Sequence, residues 1–220
     1  MKQILPNIWQ WSWFSDEKQL NFNGLFLTVG EHRILVDPPP MASEDVMQVR
    51  RGGRVDYILI TNRDHLREAA AYKAEFACQL WLPAIDAPQM EVKADKTYQD
   101  GELLPGGIWA VHLQDQKSPG ECALFIQQAG GAGASRRDQG GPVPTGIMIV
   151  GDALIGKPAG AVSMLPADKY ADPGKAREGL RRLLKYNFDG LLVGDGHSIM
   201  TGAKQLVESL LSSPQPQPQP

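Results

Sequence analysis

A chain of 220 residues, 42% hydrophobic and 21% charged, has the composition of one ordinary globular domain. At this size about 70% of the unfolded surface is buried on folding, so wholesale disorder is excluded. A net charge of −3 argues against a general nucleic-acid binder or a membrane-surface protein, and Gly 23 with Pro 17 points to many turns rather than a helical bundle.

Trp9, Trp11 and Trp13 recur at period two, which predicts one face of a first strand. GLFLTV and RILVD follow as a hairpin around Gly30-Glu31-His32, stopped by Pro38-Pro39-Pro40. Ser43 is the expected N-cap of a helix ending at Gly52-Gly53. The apolar run 55–60 predicts a strand buried on both faces, then a polar segment Thr61–His65 and a helix from Leu66 to Ala77. QLWLP is another short strand, and 107–113, 121–128 and 146–152 are β in pattern. Between the last two, 130–145 is expected to be a mobile hairpin tip. Pro173 opens a helix, GLLVGDG is a last strand and TGAKQLVESLL a last helix; 214–220 is expected to be a disordered Pro/Gln tail. Cys78 and Cys122 lie in apolar segments and read as buried free thiols of a reducing compartment, with one disulfide between them as the alternative. No apolar run reaches membrane-spanning length and the first ten residues lack a signal peptide's apolar stretch, so a cytoplasmic protein without membrane contacts is expected.

Three strands end in the same chemistry: 58–60 leads to Asp64 and His65, 147–150 to Asp152, and 191–193 to Gly-Asp-Gly-His197. Carboxyl ends of neighbouring strands open onto one crevice in layered α/β proteins. If these strands are neighbours, two imidazoles and two carboxylates form a site for zinc, iron or manganese. A single carboxylate after a strand has a plainer role, turning the chain or capping the next helix. The P-loop-like run Gly151-x-x-x-x-Gly156-Lys157 meets Pro158 where a magnesium-binding Ser or Thr is needed, so nucleotide binding is not expected.

From Asn23 to about Leu211 the chain resembles the metallo-β-lactamase-fold hydrolase superfamily. The matching elements are a hairpin ending in Asp37, a strand and Thr before a His-x-His-x-Asp-His loop, a strand ending in Gly151-Asp152, and a strand ending in Gly196-His197. The resemblance implies an α+β, four-layer αββα sandwich in one domain over 1–213. It also exposes departures. Asn62 and Asp64 stand where two histidines belong, Leu66 replaces the carboxylate, Arg67 replaces the last histidine, and Lys117 falls at the mid-chain histidine.

Two readings follow. In the first, one zinc, iron or manganese ion is held by Asp64, His65, Asp152 and His197. Asp64, His65, Arg67 and Lys117 then act on a small ester, thioester, lactone or phosphoester. In the second, no metal is held: Arg67 and Lys117 supply its charge, Arg67 pairs with Asp152 or Asp64, and the crevice binds a small anionic ligand or the chain a protein partner.

Overall fold

The protein is described as a computed structural model over residues 1–127 and 145–213. The segment expected to be a hairpin tip (apart from Thr145) and the Pro/Gln tail lie outside the described residues.

Seven strands form one sheet in chain order: β1 (Lys2–Leu5), β2 (Ile8–Ser15), β3 (Leu20–Val29), β4 (His32–Val36), β5 (Tyr57–Leu59), β6 (Gln79–Pro83) and β7 (Lys96–Tyr98). β1 to β4 pair antiparallel, whereas β4 to β7 run parallel. The second sheet runs β12-β11-β10-β9-β8, from β8 (Leu103–Leu104), β9 (Ile108–His112), β10 (Cys122–Gln127), β11 (Gly146–Val150) and β12 (Gly190–Val193). In it only β11 and β12 are parallel. The α-helices among the described residues are α1 (Ser43–Arg51), α2 (Ala69–Phe76), α3 (Pro173–Leu180) and α4 (Ala203–Ser212), and short 3-10 turns join some of the elements, one of them Arg63–His65.

Three apolar clusters fill the three spaces between four layers. Leu25, Leu27, Ile34, Val36 and Leu59 face Ile108, Leu124, Ile147, Ile149 and Leu192 between the sheets. The alternate residues Phe26, Leu35 and Ile58 pack with Val49 of α1 and Tyr72 of α2. On the other side Met148, Val150, Leu191 and Val193 meet Leu180 of α3 and Val207 and Leu211 of α4. Successive side chains of a strand point to opposite faces, so strands covered on both faces read as unbroken apolar runs. This is the αββα sandwich expected from the sequence.

Several local expectations are corrected. Ser43 is the first residue of α1 rather than its cap; Ala42 holds the cap position without a side-chain bond. His32 belongs to β4, paired with Val29, and the turn is Gly30-Glu31. The helix expected from Leu66 starts at Ala69, because Arg67 holds a left-handed backbone (φ 42°) that no helix tolerates. The tryptophans grade along β2 from half-buried Trp9 through buried Trp11 to exposed Trp13. Gly24 is required opposite Trp11, since a Cβ there would sit 2.3 Å from the indole. Cys78 and Cys122 are buried and free, as expected.

Candidate functional site

The carboxyl ends of β4, β5, β11 and β12 meet at one edge of the sandwich, where the backbones of the two sheets bond to each other. Asn23 N–H donates to the Gly194 carbonyl (2.7 Å) and Cys122 N–H to that of Thr61 (2.9 Å). The Asn23 amide donates to the Val193 and Gly196 carbonyls at 2.9 and 2.8 Å. β3 is thereby tied to the segment after β12, and β10 to the segment after β5.

Asp37, left-handed at φ 46°, is the hub on the first sheet. Its carboxylate accepts from Thr61 N–H (2.8 Å), Thr61 Oγ1 (2.6 Å) and His65 Nδ1 (2.9 Å). The loop is shaped by Asn62, whose Oδ1 accepts from Asp64 and His65 N–H at 2.8 and 3.1 Å. Its Nδ2 donates to Glu121 at 2.7 Å. Asn62 therefore builds the loop at a position where the resemblance has a histidine. Burial, with the charge of Asp152 adding to it, pushes the Glu121 carboxyl well above the usual range.

His65 Nε2 faces Asp152 Oδ1 at 3.5 Å. Burial and the Arg67 charge push the ring's pKa down, but the Asp37 charge and hydrogen bonds to Asp152 and Asp37 outweigh them and raise it to about 10. Asp152 is destabilised by burial, yet its bond to His65 and the charges of His65 and Lys117 hold it well below the ordinary carboxylate range. Lys117 Nζ bridges Asp152 (2.7 Å) and Asp64 (3.1 Å). Arg67 Nη2 donates to Asp195 Oδ1 at 2.6 Å and lies 3.4 Å from His65 Nε2. Its Nη1 donates to the Asn23 and Asp37 carbonyls at 2.8 and 3.1 Å, and its guanidinium stacks 4.8 Å over the Phe22 ring.

The structure thus brings Asp64, His65, Arg67, Lys117 and Asp152 together around a crevice of about 560 Å³. It does not bring in His197. β12 ends at Val193, Gly196 (φ 90°) turns the chain, and His197, bonded through its N–H to the Gly156 carbonyl, stands exposed. Arg67 pairs with neither Asp152 nor Asp64; its partner is Asp195. Sequence reasoning passed over Asp195 although a signal was present. Val-Gly-Asp occurs at both 150–152 and 193–195, and β11 pairs in parallel with β12, Val150 opposite Val193. Two such strands in register deliver two carboxylates side by side.

His65, Asp152 and Asp195 offer ligand atoms within 4.8 Å of one another, a triad that could hold a metal ion. As arranged, they do not fit a dication. Arg67 already bonds Asp195 and crowds the free nitrogen of His65, and Lys117 bonds Asp152. Among the described residues the buried side-chain polar atoms without a partner are Gln116 Oε1 and Arg182 Nε, neither of them in the cluster. No donor in the triad waits for a ligand. The crevice lining is cationic on balance: Lys18, Arg67, Lys117, Lys157 and Lys169 against Asp64, Asp152 and Asp195.

The sequence profile described as the metallo-beta-lactamase superfamily matches residues 1–136. Solved structures are similar over nearly the whole chain. The DIM-1 metallo-beta-lactamase superposes with a TM-score of 0.72 at 12% identity, over 96% of this chain and 95% of that one. A metallo-beta-lactamase from Pontibacter korlensis gives 0.69 at 13%, over 97% and 98%. One from Hirschia baltica gives 0.69 at 9%, over 97% and 98%. At these identities the likeness is one of fold. No curated protein is significantly similar to the chain in sequence.

Proposed function

The chain belongs to the metallo-beta-lactamase superfamily, and we propose that it is a metal-independent member of this hydrolase fold that binds a small anionic molecule in the crevice, with Arg67 and Lys117 carrying the charge a metal would carry. The observation that carries this reading is Arg67 Nη2, 2.6 Å from Asp195 and 3.4 Å from His65 Nε2. An arginine is always charged and takes carboxylates in a fixed fork, so it stays where it is at every ordinary pH. Lys117, about one-third exposed, and the lysines of the mouth leave positive charge within reach of an entering anion. The two buried free cysteines fit a reducing, cytoplasmic setting, and no helix among the described residues is long and apolar enough to cross a membrane.

The test has two arms. Protein purified without chelators is expected to contain far less than one equivalent of zinc, iron or manganese. Inorganic phosphate is expected to bind saturably by calorimetry, and more weakly to Lys117→Ala. Failure of phosphate to bind at all overturns the anion-binding reading.

A second reading is favoured by the convergence of His65, Asp152 and Asp195: a hydrolase with one metal ion, acting on a small ester, thioester, lactone or phosphoester. Near-stoichiometric metal in the purified protein, lost in Asp152→Ala, would establish it in place of the first. It also requires ester or phosphodiester hydrolysis that rises with added zinc or manganese.

A further inference from the structure

We propose that Arg67 is the residue whose removal opens this crevice to a metal, and that the triad behind it, His65, Asp152 and Asp195, is a latent metal site that Lys117 borders through the far oxygen of Asp152. This inference rests on the metal-independent reading given above. The arrangement of His65 supports it. A ligating histidine needs its second nitrogen held by an acceptor, which fixes the ring and leaves the other lone pair pointing at the metal. Asp37 Oδ2, itself fixed by Thr61, holds Nδ1 at 2.9 Å, and Nε2 points toward Asp152 and Arg67. Asp152 bonds Lys117 through Oδ2, so the Oδ1 atom nearest His65 is not taken by lysine. Asp195 is engaged by Arg67 alone among the side chains that pair with it. Removing one guanidinium thus releases Asp195 and clears the side of Nε2 that Arg67 crowds; Nε2 still faces Asp152, and an entering metal would take the place of its proton.

The three ligand atoms already lie within 4.8 Å of one another. A tetrahedral zinc site with bonds of about 2.1 Å places its ligands about 3.4 Å apart, so closing the site needs shifts of about an ångström. The guanidinium is held by the Asn23 and Asp37 carbonyls rather than by the triad alone. Its loss therefore leaves the backbone of both sheet ends joined through Asn23.

The experiment compares the full chain with Arg67→Ala and the bulkier Arg67→Met. Each is titrated with zinc by calorimetry and with cobalt by visible absorption. Folding is followed by circular dichroism with and without metal. The wild type is expected to show no saturable uptake. At least one variant is expected to take up one equivalent, gain the visible bands of four- or five-coordinate cobalt, and melt at higher temperature with zinc. Adding His65→Asn to that variant is expected to abolish all three. A variant that folds only with zinc supports the proposal equally. Absence of metal uptake in every variant that folds, beside a metal-free wild type, overturns this inference and leaves the metal-independent reading standing. Failure of both variants to fold with or without zinc also overturns it, since the site is then not complete without the arginine. Stoichiometric metal in the wild type, bound through His65, overturns both.

Discussion

Two charge clusters share the crevice and differ in depth. The inner one, Asp37 with Thr61 and His65 and Arg67 with Asp195, is almost wholly buried, and all but Asp195, whose carboxylate is held by Arg67, are multiply bonded. The outer one, Lys117 with Asp64 and Asp152, has its lysine 31% and Asp64 39% exposed, with Asp152 buried at its base. A buried charge with fixed partners costs several kcal/mol when a partner is removed, whereas a half-solvated pair loses little because water replaces it. The inner cluster should therefore govern stability and the outer one ligand binding.

The largest expected effect comes from breaking the hub. Asp37→Ala leaves three donors without an acceptor and is expected to lower unfolding free energy by about 3–5 kcal/mol, read from urea denaturation. Asp195→Ala strips Arg67 of its carboxylate but leaves it backbone carbonyls, so a loss of about 2–3 kcal/mol is expected in the same measurement. The pH profile separates the clusters further. His65 has its folded pKa raised from an ordinary 6.5 to about 10, so its contribution is fully present below pH about 6.5. Above that the folded state holds the extra proton, and stability is lost progressively as pH rises through about 10. Urea midpoints at pH 6, 8 and 10 should fall in that order; a flat series would show that the ring is neutral. Lys117→Ala takes one of two partners from the buried Asp152, which keeps His65, and is expected to cost about 1–2 kcal/mol in stability while weakening phosphate binding about tenfold. His197→Ala is expected to change stability by less than about 0.5 kcal/mol and to leave phosphate affinity unaltered, which checks its exclusion from the site.

Much of the site was legible because strand ends announce themselves. An apolar run that stops at Asp64-His65 or Gly151-Asp152 marks where a buried strand reaches a polar edge, and Asp64, His65 and Asp152 do line the crevice. His197 was misplaced because the sequence does not say how far a strand runs before it turns. Two residues of difference exchanged an imidazole for the Asp195 carboxylate. Asn23 and Asp37 could not be recognised as organisers, since their work is done by bonds to Val193, Gly196, Thr61 and His65 far along the chain.

The amino-acid order alone determined the layers: period-two alternation and unbroken apolar runs dictate which faces are buried, and burial of apolar surface is a local bookkeeping of pattern against water. Tertiary structure alone decided the pairing of charges. Coulomb attraction and desolvation depend on distances between residues more than a hundred positions apart, such as Arg67 and Asp195. Only the closed sandwich sets those distances.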